Sequence, residues 1–206
     1  MDKITNISAL TPFALIENAD FENEDLSGMD LSYIILVNSN LKNSNLTGAN
    51  LTGAKLIRAD MTGVNLTNAD LNRADLTFAN LTDADLTGAD LTWAKLTGTN
   101  LTRADLTRAN LTLANLTLAN LINANLTGAK LTRANLTSAN LIDADLTGAK
   151  LIRADLTWAN LTKAKLTDAN LTRSDLTGAN LSGTNLTDAN LINANLINAN
   201  LNDTKL

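Results

Sequence analysis

Five aspartates, Asp70, Asp75, Asp83, Asp85 and Asp90, crowd one stretch of the chain and invite acid–base or metal chemistry. A catalytic carboxylate pair needs a pocket that raises the pKa of one member. Oxygen-only calcium sites use loops of the D-x-D-x-D-G type, and no segment resembles one. The chain has no Cys and no His, which removes thiol nucleophiles, imidazole bases, Cys/His zinc sites and disulfides together. No glycine-rich phosphate loop is present. Asn-Leu-Thr triplets, as at Asn45 and Asn115, are formal glycosylation acceptors, but they arise as a by-product of a repeated phrase. The expectation is therefore no catalytic residue, no metal site and no cofactor.

The basic residues are the second candidates. Arg73, Arg133, Arg153 and Arg173 are separated by multiples of 20, with Lys130 and Lys150 close by. They form a modest positive strip, blunted by the interleaved Asp155 and Asp175. Together with a net charge of −5 this argues against nucleic-acid binding.

What positions these residues is a repeat. From Phe21 to Leu206 every fifth residue is Leu, apart from Phe21 and Met61. Ala stands mostly two places before it, Asn, Asp or Lys one place before, and usually Thr one place after. The fifth place varies. A helix advances about 100° per residue, so a step of five would smear Leu around its circumference. A straight strand would bury Ala and Leu together, yet send the next Ala outward. Both stay inside only if the chain turns a corner in every repeat, which makes it a coiling, all-β solenoid. On this reading the fifth letter points outward and carries no folding duty.

The coil length follows from self-comparison. Residues 121–140 and 141–160 agree at 15 of 20 positions, whereas 121–130 and 131–140 agree at only 6 of 10. Four repeats make one square turn. The phrase A-[DN]-L-x-x, as in "ADLTGAD" (84–90) and "ANLTLAN" (114–120), resembles the pentapeptide-repeat protein family over roughly residues 19–206. The resemblance implies a right-handed quadrilateral β-helix of about nine coils.

Thr11-Pro12 reads as a helix start, with Phe13, Leu15 and Ile16 as a covering apolar face. Residues 1–18 are thus expected to be an N-terminal cap with a short helix, and 19–206 the β-helix. At the other end the repeat runs through Leu191, Leu196, Leu201 and Leu206, a possible dimer end between two copies. No stretch is apolar enough to span a membrane and no signal peptide is seen, so a soluble, cytoplasmic protein is expected.

Some members of the family imitate duplex DNA and bind type II topoisomerases. That reading, an inhibitor or protector of DNA gyrase, needs a strongly negative rod. Residues 1–31 hold seven acids and one base, while the remainder holds 14 acids and 15 bases. The rod itself is near neutral, which leaves DNA mimicry as the alternative to a non-catalytic scaffold for an unknown protein partner. The candidate interaction patch is apolar: Trp93 and Leu113 share one 20-residue column, and Phe78, Leu118 and Trp158 share the neighbouring one.

Overall fold

The structure, a computed structural model, describes residues 10–206. From Leu15 to Lys205, every fifth residue makes a parallel bridge to the residue 20 places on, as in Asp75 with Lys95 and Lys95 with Asn115. Each coil thus has four faces and four corners, and each face is a single bridge wide because the chain turns again at once.

The repeat Ala74–Phe78 shows why these residue types recur. A backbone N–H that loses water must find another acceptor, and all five N–H groups of this repeat do. Ala74 N–H closes the preceding corner onto Leu71 C=O at 2.9 Å. Asp75, Leu76 and Phe78 donate to the coils on either side, to the carbonyls of Ala54, Lys95 and Thr97 at 2.8, 2.8 and 3.0 Å. The remaining donor, Thr77 N–H, sits where no neighbouring carbonyl reaches. The Asp75 carboxylate accepts it at 3.2 Å and accepts the Thr77 hydroxyl at 2.6 Å. This Asx-turn explains why Asn or Asp precedes Leu and Thr follows it.

Leu and Ala fill the interior from Leu10 to Leu186, nearly all of them fully buried. Each buried Leu stabilises by about 2 kcal/mol. Where the Ala position holds a polar residue, the hydroxyl finds a partner. Thr99 donates to Leu76 C=O at 2.8 Å and Ser174 to Leu171 C=O at 2.8 Å. Among the described residues no buried side-chain polar atom lacks a partner.

The corner overturns one sequence expectation. From Phe13 to Asp203 every fifth residue has φ between 53° and 68°. The turn is closed by bonds such as Ala79 N–H to Leu76 C=O at 2.9 Å, with its second central residue in the left-handed region, the type II pattern. The variable fifth letter therefore does carry a folding duty. Glycine, Asn and Asp tolerate this region best, and all ten glycines of the chain lie there.

The expected N-terminal helix is also corrected. Thr11 to Ala14 forms a corner like the others, closed by Ala14 N–H to Thr11 C=O at 3.1 Å, and Leu15 bridges to Ile35. Pro12 serves as the first central residue of a turn, a place its fixed φ suits as well as a helix start. Ile16 is buried, whereas Phe13 and Leu15 are 71% and 68% exposed. Residues 1–9 of the expected cap lie outside the described residues.

Candidate protein-interaction surface

The corner geometry stacks the variable residues into four columns along the rod, each advancing by 20 residues per coil. One column carries Arg73, Trp93, Leu113, Arg133, Arg153 and Arg173. The next corner round the coil carries Phe78, Gly98, Leu118, Ser138, Trp158 and Gly178. Between them runs a face whose outward residues are Asp75, Lys95, Asn115, Asn135, Asp155 and Asp175.

Trp93, Phe78, Leu118 and Trp158 are 53%, 56%, 62% and 63% exposed, and Leu113 is half-buried. Four of the five gather at the two edges of one face. Phe78 and Leu118 are two coils apart, but the Phe78 ring leans across the gap over Gly98. A Cβ built on Gly98 would lie only 2.5 Å from that ring. Glycine here serves both the left-handed corner and the close approach of the ring. Trp158 does not join them: Ser138 intervenes, and its ring lies over Gly178, away from Leu118. The sequence columns foresaw which residues align, but not which way the rings lean.

The aspartates first singled out are dispersed. Asp70 and Asp90 bridge on one face, while Asp75 and Asp85 occupy two others and Asp83 a corner. Each is engaged locally. Asp83 takes a bidentate pair of bonds from Arg103 at 2.7 and 2.6 Å, and the Arg103 hydrogen bonds hold its carboxyl below the usual range against some desolvation. Asp70, Asp85 and Asp90 accept Asx-turn bonds from Asn72, Thr87 and Thr92. Among the described residues there is no pocket and no cluster of metal-ligating side chains. No helix there is long and apolar enough to cross a membrane.

The Asx-turn aspartates carry a pH prediction. For Asp60, Asp85 and Asp145, partial burial pushes the carboxyl pKa up, but hydrogen bonds from the Thr two residues on, joined by Lys42 at Asp60, Thr67 at Asp85 and Lys165 at Asp145, outweigh it and the net shift is down. A folded pKa below the unfolded value contributes stability that is present above about pH 4 and lost as pH falls through the folded pKa. Thermal melts from pH 7 to pH 3 should show a falling Tm at the acid end. Substituting D60N, D85N and D145N together should flatten that limb, because Asn makes the Asx-turn without titrating, while losing the Lys42 and Lys165 ion pairs at neutral pH. An unchanged acid limb would show that these turns do not drive it.

The last coil differs from the rest. Leu191 and Leu196 are half-buried, Leu201 and Leu206 are 44% and 83% exposed, and Ile192 and Ile197 are each 62% exposed. The residues named as a dimer end therefore present an uncovered cross-section of the core.

The pentapeptide-repeats family model matches the chain in eight copies whose segments run through residues 19–206. Among solved structures the fold resembles HetL, a pentapeptide repeat protein involved in heterocyst differentiation regulation from the cyanobacterium Nostoc sp. strain PCC 7120. That likeness has 37% identity and a TM-score of 0.50, and covers 93% of this chain and 86% of HetL. It also resembles QnrB1, a plasmid-mediated fluoroquinolone resistance protein, at 20% identity and a TM-score of 0.58, covering 92% and 90% of the two chains. No curated protein matches by sequence. A five-residue phrase that turns a corner at each repeat, with its family model matched along nearly the whole rod, places this chain in the pentapeptide-repeat family, whose coil is a right-handed quadrilateral β-helix.

Proposed function

We propose that the protein is a non-catalytic, cytoplasmic interaction scaffold that binds a protein partner on the face edged by Trp93, Leu113, Phe78 and Leu118. One observation carries this reading. Four apolar side chains, three of them more than half exposed, gather at the edges of one face in the middle of the rod, apart from the exposed apolar residues near its two ends and the separate Trp158. Single exposed apolar residues are ordinary, whereas a contiguous group rimmed by polar residues marks a contact site. The involvement of HetL in regulation suits a rod that acts by contact rather than by catalysis.

A photo-crosslinking residue placed at Leu118 in the native host should trap one discrete partner, and the same probe at Asn43, on a polar corner, should not. Equal or absent capture at both positions would overturn the reading.

The charge distribution favours this reading over the DNA-mimicking alternative. The acids of the first coil, Glu17, Asp20, Glu22, Glu24, Asp25 and Asp30, are confined to one end of the rod. A gyrase supercoiling assay decides between the two. Salt-sensitive inhibition at micromolar protein, weakened when those acids are neutralised, would restore DNA mimicry.

End-to-end pairing of two copies through Leu191, Leu196, Leu201 and Leu206 would cover the exposed core cross-section. Sedimentation equilibrium tests it, since L201K should shift a dimer to monomer.

A further inference from the structure

We propose that the interaction surface is completed by a cationic array on the Trp93 corner, and that its occupant is an acidic, amphipathic helix of a partner protein lying along the rod. This rests on the scaffold reading and specifies the partner's chemistry.

Beyond Leu113 the Trp93 corner continues, one coil at a time, as Arg133, Arg153 and Arg173, all exposed. On the face beside that corner Lys130 bridges directly to Lys150, and both are exposed. Five like charges thus stand within three coils. Like charges directly across a ladder destabilise it. The bridged acids Asp70 with Asp90, Asp85 with Asp105 and Asp155 with Asp175 each accept a backbone N–H in an Asx-turn, and four cations elsewhere stand one coil from an acid. Lys95 stands one coil from Asp75 at 3.5 Å, Arg103 from Asp83 at 2.6 Å, Lys165 from Asp145 at 3.2 Å and Lys42 from Asp60 at 3.0 Å.

None of the five array residues makes such a pair. Asp155 and Asp175 lie on the face across the corner, and Asp168 on the corner that flanks the lysine face, none of them in an ion pair with the array. The Asp155 and Asp175 carboxylates are held by Thr157 and by Thr177 and Asn195. An array of five cations, none of them in a close ion pair and only partly offset by Asp155 and Asp175, is open to an anion from outside.

Spacing selects the form of that anion. Successive coils are about 4.8 Å apart. Carboxylates three or four residues apart on a helix are separated by about 4.5–6 Å along its axis, close to the coil repeat. On an extended strand same-face residues are about 6.6 Å apart and fall out of register. The fitting helix carries acids on three successive turns, opposite Arg133, Arg153 and Arg173. It carries apolar side chains on the next two turns, over Leu113 and Trp93. The array is short and the protein net acidic, which favours such a segment over a long nucleic acid.

The test is a fluorescence-anisotropy titration with a labelled, helix-stabilised peptide of that pattern, against the full chain. Binding should weaken about tenfold in R133Q/R153Q/R173Q and several-fold in W93S, and the salt dependence should fall in the arginine variant, which leaves only Lys130 and Lys150, but stay unchanged in W93S. Glutamine, like arginine, is unbranched at Cβ and so suits the positive-φ corner no worse, and an unchanged thermal melt verifies folding.

A peptide of the same composition, scrambled out of the one-turn register, should bind about tenfold more weakly. Equal binding of the scrambled peptide overturns the helical register. Tighter, salt-sensitive binding of a short DNA duplex assigns the array to nucleic acid instead. No binding at about 1 mM peptide overturns the partner chemistry. If crosslinking at Leu118 still succeeds, the scaffold reading survives that failure. If crosslinking fails too, both fall.

Discussion

Truncating Leu116 to alanine in the middle of the rod is expected to lower the unfolding free energy by about 2–5 kcal/mol. Leu116 is fully buried, and Leu96 and Leu136 occupy the same inner position in the coils on either side. The loss combines the transfer free energy of the removed methyls with a cavity that rigid neighbouring coils cannot close. Each coil touches only its neighbours, so a central defect weakens two coil–coil interfaces at once. The same change at Leu201, which is 44% exposed in the last coil, should cost much less. Chemical denaturation of both variants checks the contrast. Equal losses would mean that the last coil is covered in solution, as the end-to-end dimer requires.

Exchanging Leu118 for its isomer isoleucine is expected to destabilise the rod by about 1–3 kcal/mol, although composition and apolarity are unchanged. Leu118 has φ of 60°, and a branched Cβ in the left-handed region collides with the backbone. The control is T117I. Ile already occupies the equivalent place at Ile57, Ile122 and Ile152, so that change should cost about 1 kcal/mol or less, the worth of the Thr117 hydroxyl bond to Asn115. If L118I proves no worse than T117I, the corner does not select against β-branching. Because L118I stays apolar, it also separates folding from partner binding at this residue.

These two experiments probe different levels at which the chain can be read. The inner positions were legible from spacing alone. A period of five suits neither helix nor straight strand, and the agreement between residues 121–140 and 141–160 sets the coil length that the bridges show. The corner position was misjudged because its side chains look arbitrary: Arg, Trp, Leu, Gly and Asp all occur. Its signal is negative. From Phe13 to Asp203 it never holds Val, Ile or Thr, while the position before it takes Thr and Ile freely. That exclusion is what a positive φ imposes.

Thr11-Pro12 was ambiguous for a related reason. Proline fixes its own φ near −65°, which opens a helix and a β-turn equally well. Only the bridge from Leu15 to Ile35, 20 residues away, decides for the turn.

By itself the sequence determined the coil, its four-repeat turn, the buried Leu and Ala ladder, and the columns into which outward residues fall, because each follows from a strict period. Tertiary structure alone decided what those columns contain as surfaces. The Phe78 ring lies over Gly98 and the Trp158 ring over Gly178. Lys95 and Lys165 find carboxylates one coil away, while Arg133, Arg153 and Arg173 find none. The physical reason is that periodicity fixes where a Cα lies, whereas the lean of a side chain and its counter-charge depend on neighbours 20 residues away across the coil.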